Sequence, residues 1–517
     1  MKNTILGLLA DYRNQKPKEI FIPTDETLPE VNRIAEENDS VNEDESLANI
    51  FLESSEYVKD GLLLIRYFKG SIFKYNGKHY EEIPNHDFEA EVSAWLLNEQ
   101  LEETVGKTIR NNLIADIQGK ILLPFHRDLN TWIGDPMGHS DYLLSCDNGI
   151  LDLKKLFDRN QESLIAHTPN FFSTSVLPFK FDEHAKCPTW DKVVEEILPD
   201  KSKLRLLQQW FGYSLTGDVS YHKFMILLGS GANGKSVVCT VLRTLLGKGN
   251  VSAVPLESFR SDRQFNLAEL DGKKANIVEE ISAKDCDRIS VGLLKDIIAG
   301  GEVQVQRKFK DPFNMRSKAK LLFATNEMPN FGDISEGLWR RLFVILFDFQ
   351  LLDEAKQDKR LTKAEFWQES GEVPGILSWA IAGLFDIWWH GFSETEESKK
   401  IKIELKNAVS FEADFVRSNL KESPGSQISR NELYRKYEEA CRQELTEPVK
   451  AKEFCSQVSS VFPKVQMSKN AIKIGGQKTR SWIGIKLQTE SSQKNELNPG
   501  ADLLSLREIT SVQENLK

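Results

Sequence analysis

The chain has 517 residues, of which 40% are hydrophobic and 28% are charged, and its formal net charge is −10. These values are ordinary for a soluble globular protein of about three domains, and a nucleic-acid binder of this charge would have to gather its positive residues on one surface. The six cysteines form no Cys-x-x-Cys pair, which argues against a zinc module and a disulfide framework and favours a reducing, cytoplasmic setting. No segment resembles a signal peptide or is long and apolar enough to span a bilayer, so we expect no membrane partner.

The first part of the chain predicts an acidic segment followed by a small mixed domain. Residues 24–57 are acidic and poor in aromatic residues, so we expect residues 1–60 to be a mobile N-terminal segment, although a solvated helical face fits nearly as well. Two alternating apolar runs flank Asn76-Gly77, which is a strong hairpin signal. A helical stretch and a strand–turn–strand pattern follow, and residues 61–190 are therefore predicted to form an α+β N-terminal domain.

The clearest local signal is the stretch GSGANGKS at residues 229–236, which fits the phosphate-binding pattern G-x-x-x-x-G-K-[ST]. The apolar strand FMILL precedes it, and a helix closed by Gly247 follows it. Glycines let backbone N–H groups turn inward around phosphates, and the positive end of the helix adds to that field. Lys235 is expected to reach the β- and γ-phosphates, and the Ser236 hydroxyl to bind Mg²⁺. The predicted nucleotide-binding residues are Gly229, Gly231, Asn233, Gly234, Lys235 and Ser236.

Later apolar strands end in polar residues that suit phosphate chemistry. One strand ends in Glu279 and Glu280, and we favour Glu279 as a metal ligand and Glu280 as the group that polarises the attacking water, although such a pair can also cap a helix. Another ends in Asn326, which can hydrogen-bond the γ-phosphate or the water, or can simply start a turn. Arg340 and Arg341 precede a further strand and could stabilise transition-state charge on a neighbour's nucleotide, although surface arginine pairs are common.

Between these strands the sequence predicts an inserted hairpin with a basic tip. Gly300-Gly301 ends a helix, EVQVQ alternates as a strand, and PFNM begins the return. Cations around an aromatic residue suit a nucleic-acid backbone, because the cations pair with phosphates and the ring can stack. An ordinary solvated hairpin tip is the alternative. The predicted DNA-binding residues are Arg307, Lys308, Phe309 and Lys310.

The C-terminal part of the chain predicts a helical extension at residues 351–405 and a winged helix-turn-helix domain at residues 406–488. The domain is predicted from three helices followed by two strand runs. Its second helix is expected to open with a capping box of Ser429 and Glu432. Its third helix is not strongly basic, so an origin, duplex DNA of any sequence and a partner protein all remain open as targets. Residues 489–517 are predicted to be a disordered tail.

The phosphate loop, the strand ending in Glu279-Glu280, LKDIIAGGEVQVQRKFK and TNEMP resemble the A, B, B′ and C motifs of superfamily 3 helicases. Within that superfamily the chain is most similar to the poxvirus-type primase-helicase ATPases, over roughly residues 60–400. The resemblance implies an AAA+-like core at residues 191–350 and a hexameric ring. In such a ring, ATP bound with Mg²⁺ is hydrolysed between neighbouring subunits. The ring encloses single-stranded DNA. The resemblance also implies that the hairpin lines the ring, that Asn326 senses phosphate, and that Lys295 is the lysine of motif B′. The arginine that acts in trans is Arg340 or Arg341, and we favour Arg341.

Many members of this family carry an N-terminal primase domain. Here no paired-acid strand or metal-chelating cluster precedes residue 190, so we expect a helicase without priming activity that works beside a separate primase or polymerase. The expected fold class is α/β, with an AAA+-like P-loop ATPase core, an α+β N-terminal domain and a C-terminal winged-helix domain.

The leading functional hypothesis is an ATP-dependent DNA helicase or translocase in the replication of a phage, plasmid or mobile element. One alternative is a DNA-associated AAA+ ATPase that assembles or remodels at an origin without processive unwinding. A second is a non-catalytic origin-binding protein whose nucleotide only sets its assembly state. The presence of Lys235, Glu279, Glu280 and Asn326 argues against the non-catalytic alternative.

Overall fold

The computed structural model describes most of the chain between residues 47 and 488. The described residues are 47–99, 107–123, 130–133, 140–159, 162–260, 264–281, 290–307, 312–329, 331, 336–348, 358–409, 411–444, 448–462, 465–468, 472–474 and 477–488. Predictions for residues 1–46, for Lys308, Phe309 and Lys310, and for the tail at 489–517 lie outside them. Within the described residues, no helix has the length and apolar character needed to cross a membrane.

The N-terminal region is an α+β unit, as predicted. Its elements are α1 (Leu47–Ser54), β1 (Val58–Lys59), β2 (Leu62–Leu63), β3 (Ile65–Phe68), β4 (Ser71–Tyr75), β5 (Tyr80–Ile83), α2 (Asn85–Asn98), α3 (Lys107–Lys120), β6 (Thr131–Trp132), β7 (Leu143–Cys146), β8 (Gly149–Asp152), α4 (Leu153–Asp158), β9 (Leu164–Ile165) and β10 (Phe171–Phe172). The hairpin predicted at Asn76-Gly77 is confirmed, because β4 and β5 pair antiparallel with Tyr75 opposite Tyr80. The second predicted hairpin is the antiparallel pair of β7 and β8.

The prediction of a mobile segment up to residue 60 is wrong for residues 47–60. Phe51 of α1 and Tyr57 are fully buried, and they share a core with Trp95 of α2 and Ile117 of α3. The Phe51 ring meets the Trp95 ring edge to face at 5.4 Å between centroids. A short apolar stripe therefore outweighs the acidic composition of this stretch, because burial of large aromatic side chains dominates the local free energy.

The centre of the molecule is a parallel five-stranded sheet with helices around it. Its elements are α5 (Pro188–Ile197), α6 (Lys201–Leu215), β11 (Phe224–Leu228), α7 (Lys235–Leu246), β12 (Val251–Ser252), α8 (Gln264–Leu267), β13 (Ala275–Val278), α9 (Val291–Ile298), β14 (Glu302–Val305), β15 (Phe313–Arg316), β16 (Lys320–Thr325), α10 (Glu336–Trp339) and β17 (Leu342–Leu346). The strand order is β12-β13-β16-β11-β17, and every pair is parallel. The carboxyl ends of β11, β16 and β13 consequently meet at one edge, where α/β sheets bind ligands.

The predicted inserted hairpin is the antiparallel pair of β14 and β15. Glu302 lies opposite Arg316, and Val305 lies opposite Phe313. Val303, Val305 and Met315 are buried against the same core as the sheet, while the residues between them are exposed. This alternation is what the EVQV pattern indicates for a half-buried strand.

The helical extension packs against the sheet domain. It comprises α11 (Ala364–Glu369), α12 (Val373–His390) and α13 (Glu396–Val409). The backbones of α6 and α12 touch, and a side chain at Gly212 or Gly383 would collide with the opposite helix. Trp379 of α12 is buried among core residues and lies edge to face with Phe211 at 5.3 Å. Close backbone contact and aromatic burial therefore fix α12 to the sheet domain.

The C-terminal unit has the order of a winged helix, as predicted. It comprises α14 (Phe411–Asn419), β18 (Leu420–Ser429), α15 (Arg430–Gln443), α16 (Ala451–Val461), β19 (Gln466–Met467), β20 (Ile472–Ile474), β21 (Gln477–Thr479) and β22 (Ser481–Leu487). Two details differ from the sequence analysis. The edge strand β18 was not predicted, since Pro424 and Gly425 interrupt it and are accommodated at a register shift between Glu422 and Gln427. The capping box is wrong, because Ser429 makes no side-chain capping hydrogen bond.

Two lysines are buried at the amino edge of the sheet, at the starts of β13 and β16. Lys320 is 1% exposed, and its Nζ donates to Thr216 O at 2.9 Å and to Lys318 O at 2.8 Å. Burial lowers the pKa of Lys320 from its ordinary value of 10.5 to about 7, and that of Lys274 to about 8. Between pH 7 and pH 10.5 the unfolded chain therefore holds protons that the folded chain lacks, and stability from these groups rises with pH.

We expect Lys320→Met to raise the melting temperature, and to do so more at pH 7 than at pH 9.5. The buried ammonium is costly near neutral pH. At pH 9.5 the folded chain holds the neutral lysine, and only the proton lost from the unfolded chain's lysine still opposes folding, so the substitution gains less. Thermal unfolding of wild type and variant at the two pH values measures this. Lys155→Met, which removes a half-buried lysine of α4 that does not influence Lys320, is the control. An equal difference in melting temperature at both pH values would contradict the assignment.

Candidate active site

The phosphate loop joins the end of β11 to the start of α7, at the carboxyl edge of the sheet. Gly231 and Gly234 have φ of 101° and 88°, and Ala232 between them has φ of 48°. These left-handed residues curl the backbone into a concave loop whose N–H groups can surround an anion. A side chain at Gly229 would collide with the amide of Asn233, so the close approach of these two residues requires glycine.

Lys235 is the first residue of α7, and its ammonium group is held inside the loop. Its Nζ donates to Gly229 O at 2.5 Å, to Asn233 Oδ1 at 3.1 Å and to Asn326 Oδ1 at 3.2 Å. Asn233 donates from Nδ2 to Phe347 O at 3.2 Å, which ties the loop to the end of β17. The predicted residues Asn233 and Lys235 of the phosphate loop are thus brought together with Asn326, which follows β16.

The charge state of this corner favours an anion. Burial lowers the pKa of Lys235, whereas Cys239 and Glu280 oppose this shift. Burial raises the pKa of the Cys239 thiol to about 12, so that neighbour is neutral. Ser236 is exposed in the cleft at the N-terminal turn of α7, where the partial positive charge of the helix is concentrated.

The acidic pair lines the same cleft, but its two carboxylates have different surroundings. Glu279 forms an ion pair with Arg243 of α7, and the other terminal nitrogen of Arg243 donates to Ile277 O at 2.9 Å. Glu280 is exposed, and its φ of 61° lies in the left-handed region, where a glutamate is rarely found. Such backbone strain recurs at functional sites. The division of metal and water between Glu279 and Glu280 stays a prediction.

Asn326 stands between the phosphate loop and the acidic pair because β16 lies between β11 and β13. Leu228 at the end of β11 pairs with Thr325, the residue before Asn326. The Thr325 hydroxyl donates to Glu327 O at 2.6 Å and fixes the turn after the strand. Asn326 is exposed, so its amide can contact a ligand as well as Lys235.

Arg340 and Arg341 lie at the opposite edge of the sheet. They precede β17, whose five residues separate them from the phosphate-loop edge by roughly 17 Å at about 3.3 Å per residue. Neither arginine lines the nucleotide cleft. Arg340 is exposed, while Arg341 donates to Gly337 O at 2.5 Å and its pKa is lowered by burial and by Arg340. The structure therefore does not bring these arginines to their own chain's cleft.

Of the four predicted DNA-binding residues, only Arg307 is among the described residues. It lies just beyond β14, where it pairs with Asp271 at 3.3 Å and sits 5.2 Å from the centroid of the Phe313 ring. Arg307 is thus anchored at the base of the hairpin, although the sequence analysis placed it at the tip. Lys295 is half-buried on α9, just before the hairpin.

The cleft suits a nucleoside triphosphate with Mg²⁺. Its volume is about 690 Å³, and the phosphate loop lines it together with the side chains of Val193, Ile197 and Leu361. Apolar walls with a few polar groups are typical of small-molecule sites. In the part of the chain that the structure describes, no cluster of three His, Cys, Asp or Glu side chains could hold a metal alone. Mg²⁺ normally binds through one or two carboxylates together with substrate phosphates, so Ser236 and Glu279 suffice.

The sequence analysis missed two features of this site. Arg243 follows Ser236 by seven residues, which places both on one face of α7, and this spacing could have identified it. The apolar wall from α5 and from residues 359–362 carries no sequence signal, because its members come from segments far apart in the chain.

Three parts of the chain match known protein families. Residues 55–199 match the family "D5 N terminal like", residues 227–341 match a family of unknown function, DUF5906, and residues 409–487 match the RFX DNA-binding domain. The first two matches together confirm the superfamily 3 resemblance. The third match agrees with the winged-helix architecture of α14 to β22.

Relatives and solved structures with partial similarity are also found. A protein of Acanthamoeba polyphaga mimivirus named "Putative helicase L207/L206" is 26% identical over 258 residues, which cover 47% of this chain and 26% of that protein. The chain thus spans about a quarter of the length of this curated relative. The apo structure of the NrS-1 C-terminal region (305–718) has 13% identity and a TM-score of 0.47, covering 86% of this chain and all of that one. An A-form apo structure of the same region has a TM-score of 0.42, and the match covers 81% of this chain and 95% of that one.

Proposed function

Since the chain carries the superfamily 3 helicase region of the D5-type primase-helicase family, we propose that it is an ATP-dependent DNA helicase or translocase. The proposal includes a role in replicating a phage, plasmid or other mobile element, and the mimivirus relative supports a viral or mobile setting. The core at residues 191–350 is proposed to be AAA+-like. No specific observation favours the alternative of origin remodelling without unwinding.

One observation supports this proposal most strongly. The Lys235 ammonium group contacts the phosphate loop and Asn326 at once, with Glu279 and Glu280 in the same cleft. A γ-phosphate between these groups would meet a cation, an amide and a carboxylate within one site, as hydrolysis requires. Ser236 and Glu279 would hold Mg²⁺, which would supply neutralisation of the phosphate charge.

The position of Arg340 and Arg341 supports a ring. Among the described residues, no arginine from the amino edge of the sheet lines the cleft, and a head-to-tail neighbour can present that edge to it. In this arrangement Arg341, or Arg340, reaches the phosphates of the adjacent subunit and stabilises charge in the transition state. A hexamer with single-stranded DNA in its channel is the assembly that we propose.

The C-terminal domain, residues 406–488, is proposed to hold duplex DNA. Its match to the RFX DNA-binding domain supports this role. The cations Lys473, Lys478 and Arg480 belong to or adjoin the β20–β21 hairpin, whereas α16 carries Lys452 beside Glu453. Phosphate contacts dominate nucleic-acid affinity, so we expect binding through this domain to weaken steeply with salt.

ATP turnover with and without single-stranded DNA tests the proposal. We expect purified protein to hydrolyse ATP with Mg²⁺ and to do so faster when DNA is added, because the strand engages the same subunits that hold the nucleotide. Hydrolysis that is absent, or that does not respond to DNA, would contradict a DNA motor. A cytoplasmic setting and a separate primase or polymerase partner belong to the same proposal.

We expect Lys308→Ala to remove most of the DNA stimulation of ATP turnover and to abolish strand separation. The reason is that a ring-lining cation grips the phosphates that move through the channel. The measurement is the turnover ratio with and without single-stranded DNA, together with displacement of a labelled strand. Lys359→Ala, which removes an exposed lysine beside the nucleotide cleft, is the control. Unchanged displacement by Lys308→Ala would show that the hairpin assignment is wrong.

A further inference from the structure

A buried carboxylate joins three parts of the molecule. The side chain of Asp271, in the turn before β13, is 6% exposed. It accepts from Lys69 Nζ at 2.9 Å and 3.2 Å, and from Arg307 at 3.3 Å. Lys69 belongs to the N-terminal α+β unit, Asp271 to the sheet domain and Arg307 to the inserted hairpin.

An aromatic ring completes this contact. Phe313 begins β15, the second strand of the hairpin, and its ring centroid lies 5.5 Å from Lys69 Nζ and 5.2 Å from the Arg307 guanidinium. Lys69 and Arg307 therefore hold both strands of the hairpin at its base. Cation–aromatic contacts between partly desolvated groups contribute measurably to the stability of such an arrangement. We call Lys69, Asp271, Arg307 and Phe313 the hairpin anchor.

The backbone at Lys69 indicates that its side chain has a specific role. Lys69 and Gly70 form a two-residue turn between β3 and β4, and Lys69 has φ of 47°. Turns of this kind favour asparagine or glycine at that position, because a lysine Cβ is strained in the left-handed region. The strain is compensated by contacts that place the ammonium group, 11% exposed, against Asp271.

The anchor also has an excess of positive charge. One carboxylate faces two cations, and the Arg307 side chain remains 37% exposed. Lys69 keeps the buried carboxylate neutralised, while the exposed part of Arg307 lines a cleft that also contains Glu81, Glu82 and Glu269. Asp271 also precedes the strand that ends at Glu279 and Glu280, so the anchor lies at the opposite end of β13 from the acidic pair.

We propose that the N-terminal unit is part of the motor, with Lys69 as a positioning residue that holds the base of the DNA-binding hairpin through Asp271. This inference rests on the proposed function of the hairpin. On this proposal, DNA bound at the hairpin affects the nucleotide cleft through β13. The N-terminal unit holds the hairpin in the geometry that this coupling requires. The N-terminal unit then has a mechanical role that is separate from any catalysis of its own.

The test compares Lys69→Asn with Lys69→Arg and Lys78→Met. Asparagine is favoured in this turn, so Lys69→Asn removes the cation without straining the backbone. Arginine keeps the charge and reach. Lys78 lies on the same small sheet and pairs with Asp147 away from the hairpin, which makes Lys78→Met the matched control.

Two readouts are needed. The first is amide hydrogen exchange across residues 302–305 and 313–316 without nucleotide or DNA. The second is the ratio of ATP turnover with and without single-stranded DNA. We expect Lys69→Asn to exchange faster in the hairpin and to lose at least about fivefold of the DNA stimulation, the lower end of coupling between distinct sites. Lys69→Arg and Lys78→Met are expected to stay within about twofold of wild type.

The outcomes separate the two proposals. Unchanged exchange in Lys69→Asn, or unchanged stimulation despite faster exchange, would overturn the hairpin anchor. A similar loss in Lys78→Met would also overturn it, since the effect would then follow any cation removed from this sheet. A wild-type enzyme without DNA stimulation would instead contradict the proposed function, and the exchange data would still report whether Lys69 holds the hairpin.

Discussion

Lys235→Ala is expected to lower ATP turnover by at least about 100-fold, the cost of removing one preorganised group that meets transition-state charge. The ammonium group is held by Gly229, Asn233 and Asn326, so it needs little rearrangement to meet a phosphate. Alanine leaves these three acceptors without a cation. The measurement is steady-state phosphate release at saturating ATP and Mg²⁺.

The matched control for this experiment is Lys248→Ala, which removes an exposed lysine just beyond the end of α7 opposite Lys235. Lys248 does not line the cleft, and we expect turnover within about threefold of wild type. Thermal unfolding without nucleotide checks that Lys235→Ala still folds. If a folded Lys235→Ala protein hydrolysed ATP within about tenfold of the wild-type rate, the phosphate loop would not be the site of hydrolysis.

Replacing both Arg340 and Arg341 with alanine is expected to lower ATP turnover by about 1,000-fold while ATP binding persists. The arginines lie at the sheet edge opposite the cleft, so they do not contact the nucleotide of their own chain. Binding of a fluorescent ATP analogue and turnover are measured on the same preparation. The two single variants then show which arginine carries the effect, with Arg341 expected.

A mixing experiment shows whether these arginines act across a subunit boundary. Lys235→Ala and the double arginine variant are co-expressed with different tags and purified together. In a randomly mixed ring, about one quarter of the boundaries join an intact lysine to an intact arginine pair, so activity is expected to return to about that fraction. A co-purified mixture as inactive as its two components would contradict action in trans.

Local sequence patterns predicted the parts of this fold that depend on neighbouring residues. The phosphate loop, the buried strands β11, β13, β16 and β17, and the β14–β15 hairpin are each confirmed at close to the expected residues. Glycines with φ of 101° and 88° in the loop follow directly from its sequence, since few other residues adopt that conformation. A parallel sheet then brings the strand ends together.

Features that depend on tertiary contact were not predictable in this way. The acidic composition around α1 hid a helix whose Phe51 is fully buried, because burial depends on what packs against it. Pro424 and Gly425 concealed β18, an edge strand that tolerates a break in its hydrogen bonds. Lys69 and Asp271 are 202 residues apart, and no periodicity relates them. Arg243 and Glu279 form an ion pair because α7 and the end of β13 are adjacent in the folded sheet domain, and no periodicity relates these two residues either.

In the proposed mechanism, cleavage of a triphosphate beside Lys235 drives strand separation. Displacement of a labelled strand from forked DNA is measured with ATP or with a non-hydrolysable analogue, for wild type and Lys235→Ala. We expect displacement only by wild type with ATP. Hydrolysis without displacement would contradict this mechanism in favour of a remodelling ATPase, and displacement with the analogue would show that binding alone separates the strands.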